Sequence, residues 1–469
     1  MPFSNARTVT MSTNTHNKTS ESSNAMLLLI TRLHFYIGLF IGPFIFIAAL
    51  TGTLYVLSPQ LEDAIYKEAL TTQSAGENKT LAEQITAARS HLSSDLTLFA
   101  VRPAPKQGDT TRVMFLDPTA NLTGARALFI DPVTLDVKGN LPVYGTSGVL
   151  PLRTTIDFLH RQLLLGEVGR YYSELAASWL WIAALGGLFL WYKGGKKNQP
   201  EFASKTVHLR KRRRHYQLGL CLFIGLIFVS VTGLTWSKWA GGNIGTLRAN
   251  IGWITPSVSL DLVASNAVVT SDEHADHIHH HDTEPKADTP VISTNPDVLF
   301  DDVLKAARNA GIDANKLEIK PAKGEGKAWL VHEIDRSWPT QVDSVAVDAT
   351  TMTVTSRADF ANFPLVAKLI RWGIDAHMGI LFGVINQIIL TAFGLSLCLM
   401  IIWGYKMWWI RRPSAGSTSK PLLQAWIKLS AIQKTLTLLV TLFLGVSLPV
   451  MGVSLLIFLL IDIWRWKRQ

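Results

Sequence analysis

The chain has little cysteine and little charge for its length. Its 469 residues include 2 cysteines, and charged residues make up 17% of the total. Cys221 and Cys398 both lie in long apolar runs, which excludes a disulfide framework, a cysteine zinc site and a cysteine-ligated iron–sulfur cluster. A soluble protein of this size would carry more charge. The composition therefore excludes a simple soluble globule, a disordered chain and a coiled coil.

Nucleotide-binding fingerprints are missing as well. The sequence contains no Walker loop, and no Gly-x-Gly-x-x-Gly follows a predicted strand. We therefore do not expect the chain to take electrons from NAD(P)H directly. Apolar residues are abundant instead, at 48%, and the 15 tryptophans suit membrane interfaces or cofactor pockets.

Long apolar runs predict a membrane protein. Spans are predicted at 26–57, in the second part of 154–192 after a periplasmic helix, at 215–236 and at 372–409. A fifth apolar run at 435–464 contains Pro449 and Gly452, so it is either one span or a hairpin. Residues 1–25 are rich in Ser, Thr and Asn and predict a flexible cytoplasmic tail.

The positive charge gives the orientation. Cytoplasmic loops are predicted at 193–214 and 410–434, because the first holds nine Lys or Arg against one acid, and residues 406–434 hold six and no acid. The segments 58–153 and 237–371 then lie on the opposite side. The net charge of +10 is thus a topology signal. It favours membrane lipid as a partner rather than nucleic acid.

The chain repeats its own motifs. The first and third spans share His-x3-Gly-Leu followed by Thr-Gly, at His34 to Gly52 and at His215 to Gly233. The second and fourth share His-x5-Gly followed by Gly-x3-Trp. Their members are His160, Gly166, Gly187 and Trp191, and His377, Gly383, Gly404 and Trp408.

The segments between the spans repeat too. Helical patterns at 81–91 and 298–310 precede strand-and-turn patterns at 129–134 and 345–351. We therefore predict a membrane α-helical bundle with four main spans plus a C-terminal span or hairpin. Two small α+β lobes, in segments 58–153 and 237–371, complete this fold. The second segment includes a His-rich loop at 274–282.

Four repeated histidines form the candidate site. His34 and His215 are predicted at one depth near the cytoplasm, and His160 and His377 near the opposite side. Two histidines at one depth on two helices can supply the axial ligands of one haem iron, whereas zinc usually takes four ligands. The sequence thus predicts two bis-histidine haems. The alternative is interfacial histidines that hydrogen-bond to neighbouring helices.

Small and basic residues surround these histidines. Glycines near them leave room for a flat macrocycle or mark close helix packing: Gly38, Gly42, Gly52, Gly219, Gly225 and Gly233. Four arginines could pair with haem propionates or serve as interfacial anchors: Arg32, Arg161, Arg170 and Arg371. His160 lies 15 residues before the apolar part of its span. Either the helix bends near Gly166 and Gly169, or the haem held by His160 and His377, the outer haem, lies at the membrane–water interface.

A histidine-rich stretch lies between the third span and the second lobe. It comprises His274, His277, His279, His280 and His281. Such tracts bind transition metals, so this loop is a possible metal site. The alternative is a solvated linker without a metal role.

The combined motifs resemble one family. Leu33-His34 with Thr51-Gly52, Phe158-Leu159-His160-Arg161, Arg214-His215 with Thr232-Gly233, and His377-x-Gly379 with Trp408-Trp409-x-Arg411-Arg412 resemble the PepSY-associated transmembrane helix family, over about residues 25–413. The resemblance implies a bacterial inner-membrane protein with PepSY-like lobes, which the loop charges predict to be periplasmic, with the N-terminus in the cytoplasm. It also implies two b-type haems and electron transfer outward to ferric siderophore, which releases Fe²⁺. The electron donor would be a quinol or a partner reductase.

Three other functions stay open at this point. A haem electron-transfer subunit would serve another periplasmic acceptor through the same histidines. A PepSY regulatory or metal-binding membrane protein would hold no haem. A metal permease would need polar residues at mid-membrane depth, and the sequence offers few beyond Asn386 and Gln387.

Overall fold

The computed structural model describes residues 13–92, 95–120, 124–144, 148–194, 207–262, 269–271, 296–411 and 422–467. The histidine-rich stretch and residues 1–12 of the predicted tail lie outside these ranges. The chain forms two compact units. We call Met1–Leu50, Arg161–Ile244 and Phe393–Gln469 the helical unit. We call Thr51–His160 and Gly245–Ala392 the sheet unit.

Within the described residues the chain forms fourteen α-helices and ten strands. The helices are α1 (Thr13–Tyr36), α2 (Gly42–Ile65), α3 (Lys67–Leu70), α4 (Leu81–Ser90), α5 (Pro151–Gln162), α6 (Gly166–Gly194), α7 (Val207–Thr235), α8 (Trp239–Asn250), α9 (Phe300–Asn309), α10 (Leu365–His377), α11 (Val384–Arg411), α12 (Leu422–Ile427), α13 (Ala431–Ser447) and α14 (Pro449–Lys467). The strands are β1 (Leu98–Arg102), β2 (Thr111–Leu116), β3 (Ala125–Ile130), β4 (Val137–Pro142), β5 (Thr255–Ser257), β6 (Val269–Ser271), β7 (Leu317–Lys320), β8 (Trp329–Glu333), β9 (Ser344–Asp348) and β10 (Thr353–Ala358).

Five of the described helical stretches are long and apolar enough to cross a membrane. They are Ala25–Ile65, Gly166–Lys193, Arg210–Thr235, Val384–Ile410 and Pro449–Lys467. The first is continuous because a π-helical turn at Ile37–Ile41 joins α1 to α2. In the helical unit, small and hydroxyl side chains bring the helices together, as is usual in membranes. Ser230 on α7, for example, donates to the carbonyl of Ala177 on α6 at 2.6 Å.

The two predicted segments that carry the His-x5-Gly motif are both broken just after their histidine. In the first repeat α5 ends at Gln162, and Leu163, Leu164 and Gly166 have φ of 52°, 58° and 59°. This left-handed backbone ends the helix before α6 begins. The bend expected near Gly166 is therefore present.

The second repeat has the same break. Gly379 and Gly383, with φ of 77° and 56°, separate α10 from α11. The single span predicted at 372–409 is therefore wrong: the segment contains two helices, and the apolar one, α11, starts at Val384. The sequence pattern missed this break because the residues between the two helices are themselves apolar.

The C-terminal apolar run is also two helices. Leu448 interrupts it, and Pro449 begins α14, a position where the missing proline N–H costs nothing. α13 and α14 approach closely at two glycines: a Cβ added to Gly452 would lie 2.7 Å from the carbonyl oxygen of Gly445. The run is therefore a helical hairpin, of which α14 is long enough to cross a membrane and α13 is shorter.

The sheet unit is built on one eight-stranded antiparallel sheet. Its strand order is β10-β9-β8-β7-β1-β2-β3-β4. Each sequence repeat supplies a helix and four strands, namely α4 with β1–β4 and α9 with β7–β10. The two sets join where Val101 of β1 pairs with Ile319 of β7. The two predicted lobes are therefore halves of a single sheet, which leaves neither half with an open edge at that position.

The helices α4 and α9 cover one face of this sheet. Buried side chains from both helices share a core with the strands. The halves are also tied by charge: the Asp301 carboxylate of α9 accepts hydrogen bonds from the backbone N–H of Leu81 and Ala82, at 2.8 and 3.1 Å. Asp301 thus satisfies amides at the start of α4 that have no partner within the helix. The helices predicted at 81–91 and 298–310 are both confirmed.

Candidate functional site

His34 lies on α1 and faces α6 in the helical unit. Its Nδ1 is 3.1 Å from the carbonyl oxygen of Ala183. A Cβ added to Gly187 would meet the His34 Cε1 at 3.3 Å, and one added to Gly186 would lie 3.6 Å from Nδ1. The two glycines therefore give the imidazole its place against α6.

His215 repeats this arrangement on α7 and α11. Its Nδ1 is 3.1 Å from the carbonyl oxygen of Met400, and a Cβ on Gly404 would lie 3.8 Å from its Cε1. Both carbonyls lie four residues before the glycine that faces the ring. The two imidazoles are close enough to interact electrostatically. The sequence repeat is thus also a repeat of side-chain contacts.

These contacts determine which ring nitrogen can act as a ligand. A carbonyl oxygen only accepts hydrogen bonds, so Nδ1 carries the proton when it bonds to Ala183 or Met400. The lone pair is then on Nε2. Histidine ligands usually donate their other ring N–H to such a group, which fixes the tautomer and the ring orientation. The donor set fits a haem iron: His34 and His215 would each present Nε2 to it.

The second pair lies in the sheet unit. His160 is in the last turn of α5, where its Nδ1 is 3.1 Å from the hydroxyl oxygen of Thr51. Gly52 follows, and a Cβ there would meet the His160 Cε1 at 3.1 Å. The repeated Thr-Gly motif of the first span thus contacts a histidine 108 residues away from its glycine.

His377 is the last residue of α10, directly before the helix break. Burial, together with the smaller effect of the neighbouring His160, lowers the pKa of His377 to about 4. At neutral pH the ring is therefore uncharged, which is the form that binds a metal. His160 and His377 are thus close enough to interact electrostatically, and they would be the residues to hold a second haem.

A comparison with known families identifies the chain. A family model described as the PepSY-associated TM region matches residues 31–411. The chain belongs to this family. The predicted resemblance is confirmed, and the match includes all four histidines but not the C-terminal hairpin. No curated protein matches the chain.

The apolar helices and the family together make this PepSY-associated protein a multi-pass membrane protein. Its polar residues near the spans have local partners. Asn386 donates to the carbonyl of Ala376 at 2.9 Å, and Gln387 accepts from the side chain of Gln60. These contacts satisfy polar side chains in the first turn of α11.

At five of the six predicted glycines, an added Cβ would contact a neighbouring side chain, so these positions do not face open space. Gly52 faces His160, Gly225 faces Phe393, Gly233 faces Ala177, Gly219 faces Met400 and Gly42 faces Tyr405. At Gly38 an added Cβ would find nothing within 4 Å. Most of these glycines therefore act in helix packing. Three other glycines face His34 or His215, and the sequence analysis did not predict this contact: Gly186, Gly187 and Gly404.

The four predicted arginines have different surroundings. Arg32 is buried near Asp462 of α14, and Arg371 pairs with Asp375 one turn along α10, at 3.4 Å. Arg170 donates to the carbonyl of Trp236 at 3.2 Å, and Arg161 follows His160 directly in α5. Their role toward propionates stays a prediction.

The sequence did not point to several residues of the site in this PepSY-associated chain. The carbonyls of Ala183 and Met400 leave no mark on side-chain identity. Thr51 did carry a signal, because it repeats as Thr232 beside a repeated glycine. Among the described residues, no group of three or more His, Cys, Asp or Glu is arranged to hold a metal ion.

Proposed function

We propose that the protein is a di-haem b membrane reductase. His34 and His215 hold one haem, and His160 and His377 hold the other. Electrons pass outward to ferric siderophore in the periplasm of a bacterium, and Fe²⁺ is released. The observation that carries the proposal is the repeated contact of His34 and His215 with helix carbonyls, which leaves Nε2 of each ring as the ligand atom.

The groups that contact the histidines have defined roles in this proposal. The carbonyls of Ala183 and Met400 orient the inner imidazoles, and Thr51 orients His160. The apolar helices exclude water from the inner pair. Haem held there supplies a one-electron carrier, so the protein needs neither a general base nor a nucleophile.

The substrate class follows from iron chemistry. Siderophores hold Fe³⁺ through hard oxygen donors, and adding one electron weakens this hold. The chain lacks dinucleotide fingerprints, so a quinol or a partner reductase is the proposed donor. The loop charges favour a cytoplasmic N-terminus, and in this proposal the segments that form the sheet are periplasmic, where ferric siderophores arrive.

The deciding experiment is a reduced-minus-oxidised visible spectrum of the detergent-purified protein, with haem counted per chain. We expect two low-spin b-type haems. His34→Ala and His377→Ala should each lose one of them. His91→Ala, a histidine at the end of α4, is the matched control and should lose none. A folded preparation without haem would contradict the proposal.

A second assay addresses the acceptor. Haem-loaded protein is reduced, mixed with ferric siderophore, and followed by haem reoxidation together with capture of Fe²⁺ by a ferrous chelator. Both signals should appear in a one-to-one ratio. Haem that is reoxidised only by redox proteins would favour the electron-transfer subunit instead.

A further inference from the structure

The sheet face opposite α4 and α9 carries a cluster of cations at its centre. Arg102 and Arg112 are direct cross-strand partners on β1 and β2. Lys320 lies on β7, the strand on the other side of β1. Their sequence neighbours Val101, Val113 and Ile319 point into the core beneath α4 and α9. Because side chains alternate along a strand, the cations point to the opposite face.

Two carboxylates neutralise part of this charge. Glu318 is 1% exposed and lies 2.6 Å from Arg102 and 3.0 Å from Lys320. Glu62, at the end of α2, pairs with the guanidinium of Arg153 at 2.6 Å. We call Arg102, Arg112, Arg153 and Lys320 the basic face. It holds four cations against two carboxylates, which leaves a surplus of two positive charges.

Arg112 accounts for much of that surplus. Its guanidinium donates to the carbonyl of Gly148 at 3.0 Å and lies 5.0 Å from the ring centre of Phe129. Within the described part of the chain, no carboxylate lies at salt-bridge distance from it. Like charges directly opposite each other in a sheet are unfavourable, so the Arg102–Arg112 pair costs stability. An anion bound beside Arg112 would relieve this repulsion.

The basic face is linked by one helix to the outer histidine pair. Arg153 and His160 are seven residues apart on α5, so they share one side of the helix about 10 Å apart along its axis. Asp157 lies between them on that side. An acceptor held at Arg153 would thus lie near the outer site.

The depth of these groups limits the size of a ligand. The side chains of Arg102, Arg153 and Lys320 are 17%, 25% and 20% exposed. Groups this recessed suit a compact small molecule better than a protein surface. The chemistry required of it is several negatively charged oxygens around a trivalent cation.

We propose that the basic face docks anionic ferric chelates, of the carboxylate or catecholate type, in preference to neutral hydroxamate chelates. This inference rests on the proposed function, since it names the class of chelate that the reductase accepts. Binding alone can test it, because gallium(III) forms chelates of the same charge and similar size that are not reduced.

The test is calorimetric titration of the full-length protein in a neutral detergent. The probes are gallium(III) tris-catecholate, with charge −3, and a neutral gallium(III) trihydroxamate. We expect at least tenfold tighter binding of the anionic probe, weakening with salt. Equal affinity for the two probes would overturn the inference, as would equally tight binding of metal-free catechol.

Variants locate the site. Arg112→Gln should weaken binding of the anionic probe at least tenfold and that of the neutral probe less than twofold, while Arg112→Lys stays within threefold. Arg126→Gln is the matched control, because Arg126 lies on β3, pairs with Asp117 and points to the other face. If Arg112→Gln does not fold, Lys320→Gln should show a loss in the same direction. An equal loss in Arg126→Gln would overturn the inference.

Haem content separates this inference from the proposed function. A protein without haem that still prefers the anionic probe supports the docking site and contradicts the reductase. A haem-loaded protein that reduces ferric chelates but shows no preference between the gallium probes supports the reductase and contradicts the docking site.

Discussion

Thr51→Val tests the outer site at a single atom. Thr51 is buried, and its hydroxyl oxygen lies 3.1 Å from the Nδ1 of His160. Valine has nearly the same shape but cannot accept the hydrogen bond. When Nε2 of His160 is the ligand, Nδ1 carries the proton and donates a hydrogen bond to the Thr51 hydroxyl oxygen. Loss of this acceptor makes the ring a weaker electron donor to iron.

The expected size follows from the hydrogen bond. Such a bond contributes about 0.5–1.5 kcal/mol. For one electron, a tenfold change in equilibrium, about 1.4 kcal/mol, corresponds to about 59 mV. If the bond is made mainly to the oxidised site, the midpoint potential of the outer haem should rise by about 20–60 mV.

The assay is a spectroelectrochemical titration of the purified protein. His160→Ala identifies the outer haem by its loss, and Thr51→Ser, which keeps the hydroxyl, should restore the original potential. The inner potential should not move. An unchanged outer potential in Thr51→Val, or a shift confined to the inner haem, would refute the assignment of Thr51 as the partner of His160.

Four further variants test other parts of the structure. Gly187→Ala should reduce inner haem retention, because its Cβ would lie 3.3 Å from His34, whereas Gly404→Ala, at 3.8 Å, should be tolerated; haem per chain is the measurement. Glu318→Gln should lower the free energy of unfolding by about 3–5 kcal/mol, since it leaves buried cations uncompensated. Burial raises the pKa of Glu318, but Arg102, His332 and Lys320 outweigh it and hold the pKa at about 2. Its stabilisation is therefore complete above pH 4.5 and lost as the pH falls toward 2, and thermal unfolding of Glu318→Gln should lack this dependence. Asp301→Ala should cost about 0.5–2 kcal/mol and speed amide exchange in the first turn of α4.

The local elements could be predicted because their signals are local. The apolar spans follow from composition, and α4 and α9 follow from helical periodicity in short windows. The repeat itself was visible in the spacing of histidines and glycines. Within each copy of the repeat the pattern is local: His160 and Gly187, for example, are 27 residues apart.

The joining of the two half-sheets could not be predicted in this way. β1 and β7 are more than 200 residues apart, and each half alone forms a complete four-stranded antiparallel set. Nothing in Val101 or Ile319 distinguishes a strand that pairs with its own repeat from one that pairs with the other. The rule that sheet edges are covered gives the physical reason for the pairing, but not its partner.

At the candidate site, the sequence pointed to the proposed ligand side chains and missed the groups that orient them. The four histidines repeat, so their pairing could be inferred from spacing. A backbone carbonyl is present at every residue, so no pattern could select Ala183 or Met400. The same limit applies to Gly187 and Gly404: their spacing was noted, but only the structure gives them an imidazole as neighbour.

The two histidine pairs differ in how their rings are held, and under the proposed function this difference would set the direction of electron flow. Helix carbonyls accept from the inner rings, while a threonine hydroxyl faces His160. A carbonyl is a fixed acceptor, whereas a hydroxyl is both donor and acceptor and polarises the ring less. We therefore expect the inner ligands to donate more strongly to iron than His160 does. Stronger donation stabilises the oxidised state and lowers the potential. On this argument the inner site is the better reductant, so electrons run downhill toward the outer site, in the direction that the proposed function requires.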